Sequence, residues 1–276
     1  MCPQKPIHIF TTTVLQLLST YPKLPTRQNK SLLHIGYVVL FFLLSSCSYY
    51  YAESSHQTTQ VRVTDIPADS STSAIIAPYK SALDGEMNAI VAELAVDMKK
   101  GKPESTLGNF ICDVIVKQGE KVTGKKIDFG VYNYGGIRQD NLSAGPITKG
   151  KIFELLPFEN FGAIVTLDGP STLLLIQKII NEEGWPISSG LRIVVKNNLP
   201  ETILINNEPF DQSKTYVVVM NDYMAGGGDN SAFLVGQKVE ILGATIRDMM
   251  LQYLADETAA GRKVYSKMDG RITYAE

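Results

Sequence analysis

The sequence predicts an α+β domain in which helices flank a mixed β-sheet. Short β-branched or aromatic runs bounded by Gly, Pro, Asn or Asp are interleaved irregularly with stretches of helical period. Leu191–Lys196 and Thr202–Ile205 are so close in sequence that they read as a hairpin, a connection foreign to a doubly wound parallel sheet. No internal repeat or linker divides the stretch that holds them. In a chain of 276 residues, 44% hydrophobic and 20% charged, there is enough apolar material for a sizeable core.

Residues 1–47 read as a leader. Lys23, Arg27 and Lys30 precede the apolar run Tyr37 to Leu44, and Leu44-Ser45-Ser46-Cys47 follows, the order of a secretory signal. The run is far shorter than the ~20 residues of a membrane-spanning helix. Leu-Ser-Ser-Cys also resembles a bacterial lipobox, which implies cleavage before Cys47 and lipidation of its sulfur. An ordinary cleaved signal with a chance cysteine is the other reading. Met1 to Lys30 exceeds a usual leader, so translation is expected to start further downstream. Residues 48–72, rich in Ser, Thr, Tyr, Gln and Ala, read as a tether with one short strand at Gln60 to Val63. The folded domain is expected over 73–275.

Within it, apolar residues at Ile76, Leu83, Met87, Ile90, Val91 and Leu94 predict one long helix from Ile75 to Met98, stopped by Lys99-Lys100-Gly101. Leu107 to Val122 predicts a second, with Glu104-Ser105-Thr106 as capping candidates. Phe129–Tyr132, Ala163–Leu167, Leu191–Lys196, Thr202–Ile205 and Thr215–Met220 read as strands. Ser171–Asn181 and Ala244–Thr258 read as helices. Gly145-Pro-Ile-Thr-Lys-Gly-Lys-Ile152 spells most of a phosphate loop, but isoleucine stands where a magnesium-holding hydroxyl belongs. It reads as a turn entering a short helix at Ile152 to Leu156.

Composition excludes several chemistries. The net charge of -2, without a run of Lys and Arg, leaves no basic stripe for a nucleic-acid backbone. All three histidines, His8, His34 and His56, precede the domain. A dinuclear metallophosphatase site needs several imidazoles beside its carboxylates, and Ser-His-Asp or Cys-His catalysis needs one. The domain is therefore expected to hold no catalytic residue, metal or cofactor. Cys112 reads as a small core residue, and with only Cys2 and Cys47 besides it no disulfide framework is available.

Three loops at strand ends carry the signal for a ligand. Asn133-Tyr-Gly135-Gly136-Ile-Arg138 offers close backbone approach with directional donors. Read alone, it is equally a glycine turn with a surface arginine. In Leu156-Pro-Phe158-Glu-Asn160, a strand would put the ring and the amide on one face, although by itself the segment reads more readily as a core phenylalanine at a turn. Asn221-Asp-Tyr223-Met-Ala-Gly-Gly-Gly-Asp229 keeps three glycines in a row despite their entropic cost, which points to unusual dihedrals and makes Tyr223 and Asp229 ligand-facing candidates.

Together with Glu104-Ser-Thr-Leu-Gly-Asn-Phe-Ile-Cys-Asp113, Gly145-Pro-Ile-Thr, Ser189-Gly190 and the closing Asp269-Gly-Arg-Ile272, these motifs resemble, in order, those of the 5′-nucleotidase C-terminal domain, from about Ile75 to Ile272. The resemblance implies a domain that grips the nucleoside while a separate metallophosphatase domain hydrolyses the phosphate ester. Phe158 and Tyr223 would sandwich the base, Asn133 and Asn160 would bond its edge, Asp229 would hold ribose hydroxyls and Arg138 would face the phosphate. Gly135, Gly136 and Gly190 complete the expected substrate-binding set. Two departures stand out. Tyr223 replaces the usual phenylalanine, adding a hydroxyl that could alter which base fits. Lys99, Lys100 and Lys102 stand where the family places arginine before Glu104-Ser105, and lysine lacks the bidentate fork.

The expectation is an exported, lipid-anchored substrate-recognition subunit acting with a separately encoded metallophosphatase that carries the divalent metals. A surface protein that binds nucleotides without enzymatic partner and a lipoprotein whose pocket has decayed are the alternatives.

Overall fold

The computed structural model describes residues 68–275. Cys47, the leader and nearly all of the tether, including Gln60 to Val63, lie outside them. Among the described residues no helix is long and apolar enough to cross a membrane.

Helix α1 (Ser70–Met87) is capped by Asp69, whose carboxylate accepts from Thr72 N–H at 2.7 Å, so its first turn lies inside the stretch read as tether. None of its side chains is buried. It meets the rest of the domain near its C-terminal end, where Glu86 pairs with Lys149. The expected single helix over Ile75 to Met98 is corrected here. The chain turns at Asn88 and continues as strands β1 (Ile90–Leu94) and β2 (Met98–Lys99). β1 runs antiparallel to β5 (Gly145–Thr148), and β2 to β4 (Asn141–Leu142). Ala92 and Leu94 alternate into the core, as a half-buried strand requires, and their partner strand is too distant in sequence for local periodicity to reveal.

Helix α2 (Thr106–Thr123) starts at Ser105, whose hydroxyl accepts from Gly108 N–H at 3.1 Å, and ends at left-handed Gly124. β3 (Phe129–Gly130) follows. Gly145–Thr148 is strand, not turn, and runs directly into helix α3 (Lys149–Leu155), capped by Thr148. Beyond it come β6 (Phe161–Asp168) and helix α4 (Gly169–Asn181), with Asp168 as its N-cap. β7 (Leu191–Lys196) and β8 (Leu199–Ile205) form the expected hairpin, with Leu191 opposite Ile205. β9 (Glu208–Pro209), β10 (Thr215–Asn221), the single-turn helix α5 (Asp222–Ala225), β11 (Lys238–Thr245), helix α6 (Ile246–Ala259) and β12 (Ile272–Tyr274) complete the order.

The central sheet has the order β11-β6-β10-β3, antiparallel except for the parallel pair β10 and β3. The second, β12-β7-β8-β9, is likewise mixed, with β12 parallel to β7. Alternate residues of the central strands feed two cores. Ile164 and Val219 join one with Ile111, Ile115 and Met250 from α2 and α6. Val165, Val218 and Met220 join the other with Ile176 from α4 and Ile193 from β7. This is the α+β architecture with mixed sheets and flanking helices that the sequence predicts.

Topology then aligns the loops. Because β3 and β10 are parallel, both leave the sheet at one edge, and antiparallel β6 enters there, with Gly162 opposite Asn221. The Asn133 loop, the segment before β6 and the segment after β10 therefore meet.

Candidate functional site

At that edge Asn133, Gly135, Gly136, Arg138, Phe158, Asn160, Tyr223 and Asp229 line a cleft of about 400 Å³. Phe158 and Tyr223 are each 46% exposed, so both bare rings face the same space. Buried large apolar side chains are the rule, and two half-bare aromatics on one cleft are a platform for a flat ligand. The Arg138 guanidinium lies 5.7 Å from the Phe158 ring centre.

The Phe158–Asn160 segment is loop rather than strand, so a shared strand face is not what brings its ring and amide to the cleft. Backbone and side-chain bonds hold the loop instead. Ile246 N–H donates to the Asn160 carbonyl at 2.8 Å, and Arg138 N–H donates to the Leu155 carbonyl at 2.9 Å. Arg247 reaches across from α6 to the carbonyls of Leu156 (3.3 Å) and Pro157 (3.2 Å) and to Glu159 (2.9 Å), and stacks over Phe153 at 4.3 Å. Sequence reasoning missed this arginine, which carries no local signal.

Opposite stands a hydrogen-bonded relay. Asn221, fully buried, caps α5 by accepting from Met224 N–H at 2.8 Å and donates to the Asn133 side-chain oxygen at 2.9 Å. The Asn133 amide then donates to Asp229 Oδ2 at 2.8 Å. Those two bonds commit the amide's orientation and leave one N–H of Asn133 for a ligand acceptor. The Tyr223 hydroxyl donates to Asp229 Oδ1 at 3.0 Å and accepts from Asp229 N–H at 3.2 Å. A side-chain carbon on Gly228 would fall 2.5 Å from Tyr223 Cζ, so the ring closes on a backbone that only glycine leaves clear. Asn221 was legible as part of a motif, but its role was not.

Gly190, expected to face the ligand, is not brought to the cleft. A Cβ there would sit 2.1 Å from the Asp128 carbonyl oxygen, so the glycine permits a close chain crossing before β7. Two of the three lysines in the arginine region are also occupied. Lys100 donates to the Ile137 carbonyl at 2.8 Å and lies 4.0 Å from the Tyr134 ring centre, Lys102 pairs with Glu183, and Lys99 sits in β2. Burial holds the Lys100 ammonium below its usual pKa, and neighbouring Arg138 and Lys102 push the same way against the pull of Asp140.

Glu104 and Asp113, the two ends of one motif, serve the frame. Glu104 accepts from Asn109 (2.7 Å) and from the N–H groups of Asp269 (2.9 Å), Gly270 (3.0 Å) and Arg271 (3.1 Å), tying the start of α2 to the chain entering β12. Cys112 is buried in the core, where burial pushes its thiol pKa well up and Asp113 adds to the shift. Among the described residues no three His, Cys, Asp or Glu side chains converge as a metal-ligand set.

Residues 89–236 match the family described as 5′-nucleotidase, C-terminal domain. Over 189 residues the chain is 30% identical to the cell wall protein Lmo0130 of Listeria monocytogenes, covering 62% of this chain and 24% of that protein. It is 24% identical over 183 residues to a 5′-nucleotidase of Vibrio parahaemolyticus, 63% of this chain and 31% of that one. Among solved structures, the 5′-nucleotidase precursor from Thermus thermophilus superimposes with a TM-score of 0.63 at 27% identity, covering 74% of this chain and 42% of that one. The chain thus spans less than half the length of each of these relatives.

Proposed function

The chain belongs to the 5′-nucleotidase C-terminal domain family, and from that premise we propose that its cleft binds the nucleoside part of a nucleotide as the recognition half of a 5′-nucleotidase-type phosphohydrolase. The single observation that carries this reading is the convergence of the Phe158 and Tyr223 rings on one cleft with the Asn133, Asn160 and Asp229 side chains. In this reading the base lies between the rings, the asparagine amides bond its edge, Asp229 takes the ribose hydroxyls, Gly135 and Gly136 admit the ligand close to the backbone, and Arg138 faces the phosphate. Stacking contributes ~1–3 kcal/mol per base, which with edge hydrogen bonds supports micromolar binding.

Hydrolysis would be supplied by a separately encoded metallophosphatase bearing the divalent metals, the pair acting in nucleotide catabolism. Support comes from the confinement of all three histidines to positions before the domain. Export, with lipidation at Cys47 holding the protein on a bacterial membrane, is part of the same proposal. It rests on the Leu44–Cys47 sequence and on the likeness to a cell wall protein.

The purified chain should release no phosphate from AMP with added manganese, zinc or cobalt, yet bind members of a nucleoside panel in calorimetric titration. Turnover by the chain alone would sink the split-enzyme reading, and a panel without a binder would sink nucleoside recognition.

A further inference from the structure

In the cleft the hydroxyl of Tyr223 is already committed within the protein. It is turned along the loop onto Asp229, closing a ring of two hydrogen bonds, one to the carboxylate at 3.0 Å and one from the Asp229 backbone N–H at 3.2 Å. Asp229 itself stands in the left-handed region, with φ 50°, at the end of a glycine run that restrains the backbone little. Without the hydroxyl, the carboxylate would retain one restraint, the Asn133 amide at 2.8 Å on the other oxygen.

The two bonds divide the carboxylate evenly. Tyr223 occupies one lone pair of Oδ1 and Asn133 one lone pair of Oδ2. Each oxygen keeps an acceptor site, so two adjacent hydroxyls can be received side by side, one per oxygen. Asp229 lines the cleft beside the Tyr223 ring, where the sugar of a stacked nucleoside would lie. We infer that the Tyr223 hydroxyl is a positioning group that holds the Asp229 carboxylate ready for a vicinal diol, making the cleft selective for ribonucleosides over nucleosides lacking both sugar hydroxyls. The inference rests on the nucleoside-binding reading above and adds the sugar selectivity to it.

The test is calorimetric titration of the wild type, Tyr223→Phe, Asp229→Asn and the double variant with adenosine and with 2′,3′-dideoxyadenosine. Tyr223→Phe keeps the ring, so affinity for the dideoxynucleoside should stay within about twofold, while affinity for adenosine falls about five- to tenfold, the size of one net hydrogen bond. In the double variant the two effects on adenosine should combine to less than their product, because both act through one carboxylate. The readout is the ratio between the two ligands, which a general loosening of the loop would leave unchanged. Equal weakening of both ligands by Tyr223→Phe, or of neither, overturns the positioning role while leaving nucleoside binding intact. A wild type that binds neither ligand overturns both readings together.

Discussion

Arg271 grips the Asp113 carboxylate with both arms, Nη1 2.9 Å from one oxygen and Nη2 2.7 Å from the other. Its Nε meets Asp269 at 2.9 Å and its Nη1 also donates to the Ile187 carbonyl at 2.8 Å. One guanidinium, 4% exposed, thus joins α2, the approach to β7 and the chain entering β12.

Arg271→Met should destabilise the domain by about 2–4 kcal/mol in urea unfolding. The value lies below that for a wholly buried pair because Asp113 remains 41% exposed and partly hydrated. Arg271→Lys should recover less than half of the loss, since an ammonium cannot span the two carboxylate oxygens.

Phe158→Ala should weaken nucleoside binding by ~1–3 kcal/mol in calorimetry while shifting stability by less than about 1 kcal/mol. The two effects separate because the ring is half exposed and belongs to neither core cluster.

Arg247→Met keeps an apolar side chain of similar length but removes the guanidinium that stacks over Phe153 and leaves the Leu156 and Pro157 carbonyls without their donor. Stability should fall by about 1–3 kcal/mol, and nucleoside affinity should fall with it. Hydrogen exchange should rise over residues 157–161 before it rises in α2.

Glu257, buried at the end of α6, has its pKa lowered from 4.5 to about 2, first by the hydrogen bond from Arg262 and then by Lys117, against the opposing effect of burial. A depressed carboxylate pKa contributes stability above the unfolded value, and that contribution drains away as pH falls from about 4.5 to about 2. Glu257→Gln should lower stability at pH 7 by about 1–2 kcal/mol, a figure reduced because Arg262 and Lys117 are more than half exposed, and should flatten the acid limb of the stability curve in that window.

Cys112 should resist thiol reagents in the native protein. Peptide mapping after alkylation should find it modified only when denaturant is present, because burial disfavours the thiolate that reacts.

The sequence made legible whatever depends on local period or local caps. Helices α2, α4 and α6, the β7–β8 hairpin and β10 were found within a few residues, since each carries its own apolar repeat and its own bounding Gly, Asn or Asp. What depends on distant partners was not. Ile90–Leu94 has the spacing of a helix and becomes a strand because Gly145–Thr148 pairs with it. β11 is a strand that the sequence reading did not predict; it forms by pairing with β6, 70 or more positions away in the chain, although Val239 and Ile241 alternate with Lys238 and Glu240. In the cleft, residue types at strand ends were sufficient to nominate Asn133, Phe158, Tyr223 and Asp229. Which way the Tyr223 hydroxyl turns, and that Gly190 crosses Asp128 elsewhere, depend on backbone paths that no spacing encodes.

Asn133 and Asp229 are 96 positions apart in the chain and touch only once β3, β6 and β10 have assembled in register. A half-formed molecule therefore has no cleft to offer, and any ligand that fits will bias the population toward complete assembly by mass action. Melting temperature becomes an occupancy gauge: a compound that shifts it has found the finished fold.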